Sequence, residues 1–143
     1  MRRCSNRSKG ATRGRLRRAR EIIFKSSARI LTRSLREAIR DADLVGENVK
    51  IEVAGDMLKM SAVGDMGSVF SDWERGSDEL LELRAEEDSS ATFTLSYLKM
   101  IVDAAVVSSE VAALELSTDM PLRMDFELPQ GKLVYYLAPC IGA

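Results

Sequence analysis

The chain lacks histidine, has only two cysteines, and has no glycine-rich loop of the kind that cradles phosphate groups. Without histidine it has neither the commonest general base nor any serine–histidine relay. Cys4 and Cys140 lie at opposite ends of the chain and belong to no metal-binding spacing. Residues 64–67, Gly-Asp-Met-Gly, indicate a turn rather than a phosphate site. These absences argue against an enzyme, a metal site or a cofactor.

No apolar run approaches the length of a membrane span, and no segment has the apolar core of a signal peptide, so we expect no membrane partner. The 143 residues are 45% hydrophobic and 30% charged, which is typical of one soluble globular domain with its own core. A reduced intracellular compartment is the simpler interpretation, and a disulfide between Cys4 and Cys140 is the alternative.

Charge divides the chain into a basic arm and an acidic remainder. Residues 1–25 carry ten basic residues against one acidic residue, whereas the rest carries 11 basic and 21 acidic residues. Because its first part is almost free of apolar side chains, we expect residues 1–24 to form a flexible arm before a domain at residues 25–143. The arm is either a nucleic-acid-binding segment that neutralises phosphates or a solvated tail. A start codon placed too far upstream would add such a tail.

An internal repeat with an offset of 63 residues runs through the acidic remainder. The aligned segments are Ser34-Leu-Arg36 with Tyr97-Leu-Lys99, Ile51-Glu-Val53 with Leu114-Glu-Leu116, and Asp56-Met57 with Asp119-Met120. The matches stay in register across a predicted helix and the strand that follows it. We therefore predict that a βαβββ unit occurs twice and forms an α+β fold, with two helices packed on antiparallel sheets.

Alternation of apolar residues and helical spacing predict the individual elements. The predicted strands cover residues 24–31, 49–53, 57–62, 69–74, 80–85, 91–95, 111–117, 121–128 and 132–137. Two apolar stripes predict the helices, on Leu35, Ala38, Ile39 and Ala42 and on Leu98, Ile101, Val102 and Ala105. The predicted N-caps are Ser34 or Thr32 for the first helix and Ser96 for the second.

Four short blocks carry a family resemblance. They are Asp41-Ala-Asp-Leu-Val45, Met60-Ser-Ala-Val-Gly64, Ser117-Thr-Asp-Met-Pro-Leu122 and Tyr135-Tyr-Leu-Ala-Pro139. Over roughly residues 25–142 the chain resembles the C-terminal domain of the DNA sliding clamps of the proliferating cell nuclear antigen family, in an archaeal-like form. Clamps of this family have two such domains per subunit, and three subunits close a six-domain ring. The resemblance implies a single clamp domain here, with no counterpart of the first domain or of the linker.

The resemblance implies that the helices face duplex DNA. The candidate DNA-facing residues are Arg33, Arg36, Arg40 and Lys99. The three arginines recur on the side of the first helix opposite its apolar stripe. The alternative is a solvated face on which they pair with Glu37 and Asp41. Asp103 stands where a clamp is expected to have another lysine, so we expect only weak DNA contact from the second helix.

The resemblance also implies a docking pocket for short peptides of replication and repair proteins. The candidate pocket residues are Pro121, Leu133, Tyr136, Ala138 and Pro139. In the family the other half of this pocket comes from the first domain and the linker. The alternative is that Leu133 and Tyr136 are core residues of the last strand.

The strand at residues 69–74 resembles the edge strand that this domain offers to a neighbouring subunit. The candidate assembly residues are Val69, Phe70, Ser71, Asp72 and Trp73. We expect Phe70 and Trp73 to need cover, because an open apolar edge invites association. The opposite edge is expected to be the strand at residues 132–137, so that copies can join head to tail.

These features predict a clamp homologue that is not an enzyme, needs no cofactor, and tethers replication and repair enzymes to double-stranded DNA. The main alternative is a regulatory protein that binds a full-length clamp through its edge strand. A further alternative is a nucleic-acid-binding protein whose affinity lies in the arm. The expected location is the cytoplasm, with the nucleoid, in an archaeal cell, or the nucleus in a eukaryotic cell.

Overall fold

The structure is a computed structural model, and it describes residues 24–140. Residues 1–23 of the predicted arm therefore lie outside the described part of the chain. The elements, in chain order, are β1 (Ser26–Leu31), α1 (Thr32–Asp43), β2 (Asn48–Ala54), β3 (Met57–Gly64), β4 (Gly67–Glu74), β5 (Leu80–Ala85), β6 (Ser89–Thr94), α2 (Leu95–Ala105), β7 (Val111–Leu116), β8 (Leu122–Leu128) and β9 (Gly131–Leu137). This order confirms the predicted α+β fold and every predicted strand and helix.

The strands form two antiparallel sheets, and each sheet contains strands of both repeats. One sheet has the order β5-β1-β7-β8-β9 and the other has the order β4-β3-β2-β6. Strand β1 pairs with β7 of the second repeat, and β6 pairs with β2 of the first. The two pairings are equivalent under the 63-residue offset, since Ser26 is opposite Leu116 and Ser89 is opposite Val53. The repeats have thus exchanged their first strands.

A buried serine pair links the two repeats where the exchanged strands begin. Ser26 and Ser89 are equivalent under the offset, and each is only 2% exposed. The Ser26 hydroxyl donates a hydrogen bond to the Ser89 hydroxyl over 3.0 Å, and it also lies 3.0 Å from the carbonyl oxygen of Glu87. Such a contact between equivalent residues is expected close to the two-fold axis that relates the two repeats.

The helices begin without the side-chain caps that the sequence predicted. Helix α1 follows Leu31 and helix α2 follows Thr94, with no capping hydrogen bond from either side chain. The predicted caps at Ser34, Thr32 and Ser96 are therefore wrong. The first amide of α1 donates instead to the carbonyl of Glu110 over 2.8 Å, and the first amide of α2 donates to that of Glu47 over 2.9 Å. The first backbone amide of each helix is thus satisfied by a carbonyl group in a loop of the other repeat. Capping rules consider only residues next to the helix in sequence, so they could not predict this bond.

One hydrophobic core joins both sheets to both helices. The largest fully buried side chains come from every layer and include Ile30, Leu35, Phe93, Leu98, Leu116 and Phe126. The loop after α1 is held tightly against the end of β3, because a Cβ at Gly64 would lie 1.5 Å from the backbone oxygen of Val45. Neither helix within residues 24–140 has the length and apolar character needed to cross a bilayer.

Candidate DNA-facing helix pair and assembly edges

Helices α1 and α2 lie side by side and present one shared outer surface, which we call the helix face. The exposed or half-exposed side chains of this face include all four predicted DNA-facing residues, Arg33, Arg36, Arg40 and Lys99. The opposite sides of both helices are buried in the core, as the two apolar stripes predicted. The structure therefore places the four cations on one surface, and their contact with DNA remains a prediction.

Two ion pairs cross between the helices. The Arg36 guanidinium donates to the Asp103 carboxylate through Nε over 2.8 Å, and the Lys99 ammonium lies 3.2 Å from Oδ2 of Asp43. Arg36 and Asp103 keep about a third of their side-chain surface exposed, at 34% and 35%. Arg36 thus pairs with an acid of the neighbouring helix, and not with Glu37 or Asp41 as the solvated-face alternative supposed. Lys99 also pairs across to the neighbouring helix.

Asp103 lies at the centre of the positive charge on the helix face. Its pKa is lowered from the usual value, chiefly by the hydrogen bond from Arg36 and further by the positive charges of Arg36, Arg40 and Lys99, while partial burial opposes the shift. A lowered pKa means that this carboxylate stays ionised at neutral pH. One aspartate therefore offsets positive charge contributed by three neighbouring cations.

The helix face as a whole carries no net charge. Helices α1 and α2 together contain four basic and four acidic residues. Arg33 and Arg40 are the cations that remain without an ion pair among the described residues. Sequence reasoning identified the cations but missed the role of Asp43. The internal repeat was the sequence feature that could have indicated this role. Two equivalent helices that lie side by side bring the acids of one helix close to the cations of the other.

Strand β4 forms an open edge of its sheet, as predicted. Its outer side carries Phe70, which is 71% exposed, together with the exposed Asp72. Trp73 lies on the inner side, is 8% exposed and belongs to the core, with its indole Nε1 3.4 Å from a Glu79 carboxylate oxygen. The expectation that Trp73 needs cover from a neighbour is therefore wrong. Phe70 and Trp73 are three residues apart, and an odd spacing puts them on opposite sides of a strand.

The four sheet edges differ in how far they are protected. Strand β5 is short, carries Glu82 and Arg84, and has an irregular register with β1, all of which discourage pairing. Strand β6 is partly covered, because the Cys140 amide donates to the carbonyl of Thr92 over 2.7 Å. Strands β4 and β9 are longer, with eight and seven residues, and each pairs with its inner neighbour in an unbroken register. The described domain therefore leaves one edge of each sheet open.

The outer side of β9 holds part of the predicted docking pocket. Tyr136 is 37% exposed and Ala138 is exposed, and Pro121 and Ala138 directly flank Leu122 and Leu137, which are the last residues paired between β8 and β9. Pro139 follows and is half-buried. Leu133 lies on the other side of the strand and packs against the core, so its assignment to the pocket is wrong.

Val134 is a residue of this surface that the prediction missed. It is 38% exposed, and strict alternation along β9 places it on the outer side with Tyr136 and Ala138. The signal was therefore present in the sequence. We call Val134, Tyr136 and Ala138 the β9 strip.

A charged network borders the β9 strip on the outer side of the same sheet. Arg123, opposite Tyr136 in the register, contacts Glu115 over 3.2 Å and Asp125 over 3.0 Å. Lys132 lies 3.9 Å from the second oxygen of Asp125. The strip is therefore an apolar band with a polar rim, an arrangement that suits peptide docking. Among residues 24–140 no three acidic or cysteine side chains are grouped so that they could hold a metal ion.

Comparison with known proteins agrees with this geometry. The family model described as proliferating cell nuclear antigen, C-terminal domain, matches residues 20–141. The DNA polymerase sliding clamp of Methanopyrus kandleri is 34% identical over 122 residues, which cover 83% of this chain and 48% of that protein. DNA polymerase sliding clamp 1 of Pyrobaculum aerophilum is 31% identical over 120 residues, with the same coverage of the two chains.

The fold is also shared with a solved structure. The crystal structure of PCNA from Thermococcus kodakaraensis aligns with a TM-score of 0.76 at 19% identity, over 82% of this chain and 48% of that chain. The chain thus spans about half the length of these relatives. With the family model covering most of the sequence, the chain belongs to the proliferating cell nuclear antigen family of sliding clamps and corresponds to its C-terminal domain.

Proposed function

We propose that this chain acts as a clamp domain in a ring around duplex DNA and tethers replication and repair enzymes there without catalysing a reaction. The observation that carries the proposal is that β4 and β9 are open edges while β5 and β6 are blunted or partly covered. Pairing between unlike edges joins copies head to tail, and such a chain closes into a ring when the rotation per step fits.

The two open edges complement each other in charge and in apolar surface. The outer side of β4 presents Phe70 followed by Asp72 and Glu74, and the outer side of β9 begins with Lys132 and continues with the β9 strip. An antiparallel pairing sets Phe70 against the strip and the acidic end of β4 against Lys132. Cross-strand pairs of these kinds stabilise a sheet. A second copy of this domain therefore fits the edge.

In such a ring the helix face lines the channel. Arg33 and Arg40 supply sequence-independent contacts to phosphates, as exposed cations do. A face without net charge is compatible with this role, because a closed ring holds DNA by topology and weak contacts leave it free to slide. The β9 strip then lies on the outside, where it can receive apolar peptides of client proteins.

The molar mass in solution, measured by size-exclusion chromatography with light scattering, tests the proposal. We expect a mass of about six copies of the domain if it pairs with itself around a closed ring. The protein should then be retained on a circular plasmid and lost when the plasmid is linearised. A single-copy mass together with equal retention on both DNA forms would contradict the proposal.

A second candidate function is regulation of a full-length clamp through the β4 edge. The chain spans about half the length of its relatives, and its exposed Phe70 gives β4 an apolar outer side that a clamp edge could cover. Mixing the protein with a two-domain clamp distinguishes the two functions. Incorporation into the larger ring, with no self-association, would favour the regulator.

Client peptides should bind the β9 strip more weakly than they bind a complete clamp. The strip offers one apolar wall, and the other wall of a clamp pocket comes from a domain that this chain does not match. A fluorescence titration with a labelled clamp-binding peptide checks this expectation, with Tyr136→Ala as the variant that should abolish the residual binding. Equal affinity for this protein and for a full clamp would overturn it.

A further inference from the structure

We propose that Asp103 sets the DNA affinity of the helix face by acting as an internal substitute for a phosphate group. This inference rests on the proposed function, since it takes the helix face to be the surface that meets DNA. It assigns a role to a carboxylate and not to a cation. Asp103 does not contact DNA in this proposal but acts through the side chains that surround it.

The geometry of the ion pair supports this role. The Arg36 guanidinium is bonded to Asp103 over 2.8 Å, and Arg40 and Lys99 lie close enough to act on the same carboxylate. A carboxylate that accepts hydrogen bonds from a guanidinium occupies the same donors that a phosphate would use. A phosphate that approaches Arg36 must therefore compete with Asp103 for the charge and the Nε–H donor of the guanidinium.

The exposure of the pair makes this exchange possible. Arg36 and Asp103 are each about one third exposed, so the pair lies at the surface and not within the core. Lys99 is held in the same way by Asp43 over 3.2 Å. Half of the four cations on the helix face are thus engaged by carboxylates of the neighbouring helix. The resulting surface guides DNA without holding it tightly, which favours sliding.

The variant Asp103→Asn tests the inference in the full chain. We expect it to bind a short fluorescent duplex more tightly by roughly five- to tenfold at about 0.1 M salt, because the freed Arg36 neutralises one more phosphate. The plot of log affinity against log salt concentration should become steeper by about 0.9, the value for one added phosphate contact on duplex DNA. A purely structural role for Asp103 would not change this slope.

Glu37→Gln is the matched control, because Glu37 is an exposed acid of the same helix face with no ion pair among the described residues. It removes the same charge and should change affinity by no more than about twofold, with an unchanged salt slope. Adding Arg36→Gln to Asp103→Asn should remove at least half of the gain. Unfolding midpoints of all variants identify any that fail to fold.

The outcomes separate this inference from the proposed function. If Asp103→Asn and Glu37→Gln behave alike, Asp103 has no special role and the inference is overturned. The double variant Arg33→Gln/Arg40→Gln reports on the helix face itself. If that double variant binds as well as the parent protein, the helix face does not meet DNA and this inference fails, whereas the ring is tested separately by the molar mass and by retention on circular DNA. Residues 1–23 are present in every variant, so their contribution to binding is common to all.

Discussion

At the scale of single residues, Gly64 lies against the loop after α1 with no room for a side chain. The position that a Cβ would take lies 1.5 Å from the backbone oxygen of Val45 and 2.7 Å from its carbonyl carbon. Backbone atoms cannot turn aside as the end of a flexible side chain can. The glycine is therefore needed for space, and the sequence block that contains it carries a structural requirement.

We predict that Gly64→Ala lowers the free energy of unfolding by about 3 kcal/mol or more, because either β3 or the loop must shift. The control is Gly131→Ala at the start of β9, where a Cβ meets no atom within 4 Å. That variant should stay within about 0.5 kcal/mol of the parent protein. Urea unfolding curves measure both values, and equal effects at the two glycines would contradict the prediction.

The ion pair between Arg36 and Asp103 predicts a pH dependence of stability. The pKa of Asp103 is lowered below 3.8 in the folded state, so the pair stabilises the fold above that pH, and this contribution is lost as the pH falls through the folded value. Because both partners are one third exposed, the contribution is less than about 1 kcal/mol. Asp103→Asn should be slightly less stable than the parent at pH 7, and the difference should vanish in strong acid.

Glu37→Gln serves again as the reference for this measurement, since its carboxylate has no ion pair among the described residues. Chemical unfolding across the acid range should show no comparable change in its difference from the parent. A stability difference for Asp103→Asn that persists unchanged well below pH 3.8 would show that the side chain acts through something other than its charge.

At the scale of elements, alternation along the strands decides which residues face the core. On β4 it separates Phe70 from Trp73, and on β9 it separates Tyr136 from Leu133. In both cases the sequence identified an open strand but mixed residues from its two sides into one surface. The exposed pair, Phe70 and Tyr136, is available for the assembly and docking that we propose, whereas Trp73 and Leu133 pack against the core.

We predict opposite results from two alanine variants on β4. Trp73→Ala should lower the free energy of unfolding by about 3 kcal/mol or more, because it leaves a cavity in the core. Phe70→Ala should leave the stability of the single domain within about 0.5 kcal/mol of the parent. Denaturant unfolding at a concentration that prevents association measures both. A loss of stability in Phe70→Ala of the same size would place Phe70 in the core and refute the assignment.

Association should respond to the same strand through a different substitution. Phe70→Lys places a charge in the apolar part of the proposed β4–β9 contact, so we expect the molar mass in solution to fall to that of a single copy. Leu81→Lys is the matched control, because Leu81 is a 50% exposed apolar residue on the β5 edge. It should leave the mass unchanged. Loss of assembly in both variants would indicate a nonspecific effect of added charge.

Most elements could be predicted from sequence because their signals are local. Alternation and helical spacing are properties of short segments. The internal repeat also supplied a second segment that predicts the same kind of element. The N-caps failed because the first amides of the helices bond to Glu110 and Glu47, which lie far away in sequence. The Arg36–Asp103 pair was missed for the same reason, since its members are 67 residues apart. Contacts between repeats cannot be read from either repeat alone.

At the scale of the whole molecule, the exchange of first strands between the repeats determines how the domain can fold. Strand β1 pairs with β7 and strand β6 pairs with β2, so neither sheet can be completed by one repeat. Contacts that close the structure therefore join distant parts of the chain, which slows folding and makes the transition cooperative. The two halves behave as a strand-swapped dimer joined into one chain. Cut between β5 and β6, neither fragment should hold a folded state alone, and the fold should return only when the two are mixed.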